Sequence, residues 1–236
     1  MRQTENMALI QHQPVLRRSR PAPHEERTSP SDRARLRDGR EVLISRLTPT
    51  DAPLLADAFE RLSAESRRLR FLGPKTSLSS SEIHYLTHVD GHHHEALSAV
   101  DPATGRGVAI ARFVRHLDSP DRAEVAITVA DDWQGRGLGK LMLNRLVERA
   151  RQEQIRRFTA LVSTDNHAMQ ALLGRLDGQA HVRLVGNGVS EWEIELAPKG
   201  LGRQLEEALR AAAAGQLQLP PAMCEALRGL VPARVR

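Results

Sequence analysis

Aromatic side chains are scarce in this sequence: 3% of residues, with one tyrosine, two tryptophans and four phenylalanines. Any core built from it must be mostly aliphatic. Cysteine is scarcer still. The single Cys224 excludes an internal disulfide and a thiolate metal cluster, and it suits a reducing, cytoplasmic setting. No uninterrupted apolar run reaches membrane-spanning length, and the polar, arginine-broken start lacks the apolar centre of a signal peptide. The expectation is a cytoplasmic protein with no membrane partner.

Charge is ordinary in amount but uneven in place. Hydrophobic residues are 40% and charged residues 27% of the chain, which is the balance of a globular protein. Of a formal net charge of +5, most lies before residue 41, where nine arginines face five acids. That stretch also carries Pro14, Pro21, Pro23 and Pro30 with little apolar periodicity, so residues 1–39 read as a basic, disordered tail. A basic tail is only a footprint of nucleic-acid binding, and simple solvation accounts for it, so no nucleic-acid partner is expected.

At 236 residues the chain has room for one domain with extensions. Alternating apolar positions predict strands over 42–47, 96–100, 108–114, 123–130, 158–163, 180–185 and 189–196. Helical spacing predicts helices from Asp51, over 63–71, 80–88, 137–152 and 166–176. The expected fold is therefore α/β (mixed α+β): a mixed, mostly antiparallel sheet of six to seven strands over residues 40–198, with helices on both faces. Leu201, Leu205, Leu209 and Ala212 share a helix face, and Met223, Leu227 and Leu230 follow Pro220-Pro221. Residues 199–236 thus read as a helical extension that packs on the domain or on a second copy of the chain in a homodimer.

The chemistry concentrates in Asp131-Asp132-Trp133-Gln134-Gly135-Arg136-Gly137-Leu138-Gly139-Lys140. A strand carrying Val125, Ile127 and Val129 enters this glycine turn, and a helix with Leu138, Leu141, Met142 and Leu146 leaves it. Backbone N–H groups would converge there at the positive end of the helix dipole, which suits a phosphate. A Walker loop would place serine or threonine after the lysine, but Leu141 follows Lys140. A dinucleotide-binding turn would open a parallel unit with an acid on the next strand. Here the strand closes an antiparallel run, and Phe158 to Val162 carry no acid.

The segment Gln134-Gly135-Arg136-Gly137-Leu138-Gly139 resembles the signature of the acetyl-CoA-dependent GNAT acyltransferases: Gln or Arg, two residues, Gly, one residue, then Gly or Ala. Ile127-Thr128-Val129 before it and Thr164-Asp165-Asn166 before a second helix extend the resemblance, which covers roughly residues 41–197. It implies the GNAT fold, and acetyl-CoA as co-substrate with no metal. It implies that the amides of Gln134, Gly135, Arg136, Gly137, Leu138, Gly139 and Lys140 hold the pyrophosphate. It also implies that main-chain groups of Ile127, Thr128 and Val129 pair with the pantetheine arm, and that Asn166 contacts the cofactor. Glu124 matches the strand position from which a glutamate deprotonates the amine in relatives, a task required because an amine of pKa about 10.4 is almost wholly protonated at neutral pH. Otherwise Glu124 is a solvent-facing carboxylate beside Arg122 or Arg112.

One position departs from the pattern. Relatives often carry a tyrosine on the second helix to protonate the leaving thiolate, and Leu173 stands there; the one tyrosine, Tyr85, lies on the acceptor side. Ser63-Ala64-Glu65-Ser66-Arg67-Arg68-Leu69-Arg70-Phe71 resembles bacterial protein lysine acetyltransferases, in which these helices line the acceptor groove. Glu65, Arg67 and Arg70 then either meet the acceptor or form a capped helix with its own ion pairs. His92-His93-His94 lack metal-ligand spacing and read as a polar loop before a strand. The expected function is acetyl transfer to a primary amine by direct attack, with a protein lysine as acceptor. A small-molecule amine, or a non-catalytic acyl-CoA-binding scaffold, are the alternatives.

Overall fold

The structure, a computed structural model, describes residues 32–176 and 178–197. In chain order these form β1 (Asp32–Arg35), β2 (Glu41–Arg46), α1 (Ala52–Glu60), α2 (Ala64–Phe71), α3 (Ser80–Thr87), β3 (His94–Val100), β4 (Gly107–Arg115), β5 (Arg122–Val129), α4 (Leu138–Gln152), β6 (Arg157–Ser163), α5 (His167–Leu173), β7 (Ala180–Gly186) and β8 (Val189–Glu195). The strands make one sheet in the order β1-β2-β3-β4-β5-β6-β8-β7, antiparallel throughout except where β5 meets β6.

Among the described residues eight strands stand where six to seven were expected. The extra one is β1, which lies inside the stretch assigned to the tail, so Asp32–Arg35 belong to the sheet and not to a disordered segment. Asp-Arg-Ala-Arg has no apolar alternation to announce a strand. It is held instead by its backbone ladder to β2 and by ion pairs of Arg33 with Glu41 (2.7 Å) and of Asp32 with Arg145 (2.5 Å). Residues 1–31, and the helices expected over 199–236, lie outside the described residues.

Helices cover both faces. Helix α4 buries Leu138, Met142, Leu143, Leu146, Val147 and Ala150 along one stripe, which joins Ala111, Phe113, Val125 and Phe158 in a single core. Fully burying a side chain of this size stabilises the fold by about 1.5–3 kcal/mol, so this stripe fixes where the N-terminus of α4 points. On the opposite face, Ile110, Arg112, Ala126 and Thr128 look toward α1–α3 and line a pocket with Leu55, Phe59, Phe71 and Leu86. Among the described residues no helix is long and apolar enough to cross a membrane.

Candidate active site

The sheet opens at β5. Pairing between β5 and β6 runs only through Arg122, Ala123 and Glu124, after which the two strands part. On its other edge β5 stays bonded to β4, with Ala130 N–H donating to Val108 O (2.9 Å) at one end and His116 N–H to Arg122 O (2.9 Å) at the other. In an antiparallel ladder alternate residues point their N–H and C=O to the same neighbour. The even-numbered residues therefore bond β4, and Ile127 and Val129 turn their main-chain groups into the gap. Thr128 does not share that edge: its main chain belongs to β4, and its side chain lines the pocket under α1–α3.

At the open end of the gap lies the glycine turn. Gly135 (φ +72°) and Gly137 (φ +89°) hold left-handed backbone, and a methyl group on either would project into empty space. Among the described residues, the N–H groups of residues 135–140 make no hydrogen bond; the first helical donor with a partner is Leu141, to Gly137 O (3.0 Å). Six neighbouring orphan donors at a helix N-terminus are a site for an anion. Leu138 contributes only its amide, since its side chain is buried in the core, whereas the Lys140 side chain is exposed. At Gly139 φ is ordinary and a methyl would meet Leu172 and Val129 at 3.5 and 3.7 Å, so alanine fits there as it does in the signature.

The neighbouring side chains brace this cradle. Gln134 Nε2 donates to Val129 O (3.1 Å) and to Ser66 Oγ (3.3 Å). Asp131 accepts from Ser63 N–H (2.9 Å), Ser63 Oγ (2.7 Å) and Ser66 Oγ (2.7 Å), which latches α2 to the turn. Burial raises the Asp131 carboxyl, but those donors more than offset it and leave it below the usual range. Arg136 turns away from the turn to Asp38 (2.7 Å) and Asp132 O (3.0 Å). Asn166 caps α5, its Oδ1 accepting from Met169 N–H (3.0 Å). A cofactor contact from Asn166 is thus left to its Nδ2.

Residues 62–177 match the Acetyltransferase (GNAT) family. Acetyltransferase PA5475 of Pseudomonas aeruginosa is 33% identical over 139 residues, 58% of this chain and 74% of that protein. The GNAT domain of S. lividans PAT superposes with a TM-score of 0.65 at 31% identity, over 70% of this chain and 97% of the domain. The chain belongs to the GNAT acetyltransferase family. Acetyltransferase Pat of Mycolicibacterium smegmatis is 33% identical over 163 residues, 69% of this chain, but the chain spans only 48% of Pat's length.

On the face of the sheet that carries the pocket, Glu124 points toward α1–α3. It is half-buried and, among the described residues, makes no hydrogen bond or ion pair. Burial raises its pKa, opposed by the nearby Arg70 charge and not by Arg122 or Arg112. A carboxylate lifted above its usual range and free of donors has the chemistry to accept a proton.

Several residues that the sequence left ambiguous now separate. Ser63 caps α2 by accepting from Ser66 N–H (3.1 Å), Glu65 pairs with Arg68, and Arg67 donates to Thr76 O and Glu60 O. Of the α2 cations named from sequence only Arg70 lines the pocket. Leu173 is fully buried in the core and offers no proton to a thiolate. The histidines diverge: Asp90 Oδ1 accepts from the backbone N–H of all three, His92 meets Glu153 (2.7 Å) and His93 meets Asp90. His94 is not loop but the first residue of β3, 7% exposed, with its ring stacked on Tyr85 at 5.0 Å.

Sequence reasoning named Arg112 only as a neighbour of a solvent-facing Glu124. It is 6% exposed and donates to His94 Nε2 (3.2 Å) and Leu86 O (3.4 Å). Because a guanidinium only donates, Nε2 must be the acceptor, and His94 is neutral with its proton on Nδ1. Burial and then the Arg112 charge push His94 down to about 3, consistent with that tautomer. Burial, followed by the Arg70 charge, pulls Arg112 down to about 9, still a cation at neutral pH.

Proposed function

We propose that this chain transfers an acetyl group from acetyl-CoA to the side-chain amine of a protein lysine, by direct attack within one complex. The observation that carries the reading is the splay of β5 from β6 immediately beyond Glu124, which leaves an unpaired strand edge running from a donor-free carboxylate to six orphan amides. Bound acetyl-CoA supplies an activated thioester carbonyl. The amides of residues 135–140 hold its pyrophosphate, and the main-chain groups of Ile127 and Val129 hold the arm, with Val129 O already shared with Gln134. An N–H from this edge stands where negative charge develops on the carbonyl oxygen. Glu124 takes the proton from the incoming ammonium, directly or through water. No protein acid is assigned to the thiolate, because the position on α5 where relatives carry a tyrosine is held by the buried Leu173.

The resemblance of residues 63–71 to protein lysine acetyltransferases supports lysine as acceptor, as does the similarity to Acetyltransferase Pat. The single cysteine supports a reducing cytoplasm as the setting. Incubating the purified protein with acetyl-CoA and a deacetylated lysate, followed by mass spectrometry, tests the reading. Acetyl-lysine should accumulate on discrete proteins and fall steeply with Glu124→Gln. Turnover confined to small amines would refute the lysine assignment.

A further inference from the structure

The chain pairs its buried charges carefully in one place and not in another. Glu95, fully buried, is held bidentately by Arg46 (3.0 and 2.6 Å) and again by Arg149 (3.0 Å). Arg115, 9% exposed, donates to the carbonyls of His92, Pro120 and Glu153. Arg112 is more buried than Arg115, yet it has only the histidine nitrogen and one carbonyl at 3.4 Å, and no carboxylate within ion-pair distance among the described residues. Arg70 has neither hydrogen bond nor ion pair there; its guanidinium lies 5.1 Å from the Phe71 ring centroid.

Both guanidinium groups line the same pocket, whose walls are otherwise largely aliphatic or aromatic. Its floor is low where they meet. Across the β4–β5 ladder Arg112 stands opposite Ala126, and Ile110 opposite Thr128, so small side chains leave space above the strand. Glu124, two residues along the same face from Ala126, lies just beyond the pocket's lining and close enough to Arg70 to feel its charge. Two cations and one carboxylate give a positive site, and it becomes more positive when Glu124 takes the acceptor's proton. An acceptor that brings only positive charge is repelled by such a site. One that brings an anion beside its amine supplies the missing partner.

We propose that the acceptor carries a carboxylate next to the reacting amine, an acidic residue flanking the target lysine, and that Arg112 and Arg70 bind it. This rests on the reading of the chain as an amine acetyltransferase. Bidentate guanidinium recognition of a carboxylate would fix the lysine's approach to Glu124 as well as select it.

The test uses the full chain and two matched pairs of acceptors. One pair is a lysine peptide with Glu, or with Gln, beside the lysine; the other is 4-aminobutanoate against butylamine. The Glu peptide should show at least a tenfold higher kcat/KM, and that ratio should fall below threefold in Arg112→Gln and in Arg70→Gln. The ratio is the readout, because a structural role alone would lower both peptides together. Arg70, without a hydrogen bond to lose, serves if Arg112→Gln does not fold. Equal rates for the two peptides, or a ratio that survives in the folded variants, overturns the carboxylate subsite while leaving lysine as acceptor. If only the small pair reacts and 4-aminobutanoate wins, the subsite stands and the lysine assignment falls. Failure of all four acceptors with a preparation that binds CoA overturns both.

Discussion

Replacing Glu124 with glutamine keeps shape and removes the base. General-base catalysis is worth about 10²–10⁴-fold, or roughly 2.7–5.4 kcal/mol of activation free energy. At pH 7 a lysine amine of pKa about 10.4 is neutral in roughly one molecule in 2,500. Without Glu124 the enzyme must wait for that fraction, so turnover of Glu124→Gln should climb with pH toward the amine's own pKa. Wild-type turnover should instead level off above the raised Glu124 pKa. The deficit is then largest near neutrality and narrows by pH 9.5. Stability moves the other way. A carboxyl whose pKa is raised in the fold contributes stability that is present below its unfolded pKa of about 4.3 and lost as pH rises through the folded value. Above the folded value the charged, half-buried group is a liability, and there the neutral amide should melt at the same temperature or higher. Initial rates of thiol release across pH, with melting curves on the same samples, measure both. A rate loss under tenfold at pH 7, or a deficit unchanged between pH 7 and 9.5, would refute Glu124 as the base.

The glycines of the turn should differ in cost. Gly135→Ala and Gly137→Ala force a left-handed β-carbon, costing about 1–2 kcal/mol each, and calorimetric titration should show CoA binding weakened roughly 5–30-fold, whereas Gly139→Ala should stay near wild type. Glu95→Gln leaves Arg46 and Arg149 without their buried carboxylate; a loss of about 3 kcal/mol, read as a fall in melting temperature of roughly 6–12 °C, is expected. Gly91→Ala should also destabilise, since its φ is +77° and a methyl would sit 2.3 Å from Arg46 Nη2; chemical denaturation checks it. The Asp131 latch, with its carboxyl held below the usual range, is present above the unfolded pKa near 3.9 and is lost only as pH falls through the lower folded value, so CoA affinity should not respond to its protonation between pH 6 and 8.

Most of the architecture could be read in the chain because its signals are local. Alternation at Val125, Ile127 and Val129 and the helical stripe after Gly137 each act within a few positions. β1 escaped because its pairing partners, six to twelve residues away, and Arg145 on α4 hold it rather than its own pattern. Arg112 escaped for a related reason: β4 is covered on both faces, so an arginine in it gives no periodic sign of whether it faces water, a partner or a pocket. His94 was grouped with its two neighbours, although the strand's need for a residue at that position pulled it into the sheet. Asn166 shows the opposite case, in which a residue singled out by resemblance has its oxygen engaged as a helix cap.

The hydrogen bonds from Ser63 and Ser66 to Asp131 join two surfaces that serve different molecules. Helix α2 carries Arg70 into the pocket proposed for the acceptor, while Asp131 opens the turn proposed to hold the cofactor. Any ordering of the turn by its ligand is therefore transmitted to the acceptor wall, and linkage requires the reverse to hold by the same factor. Initial-rate patterns should then show each substrate lowering the apparent dissociation constant of the other, and cutting the latch with Asp131→Ala should make their binding independent.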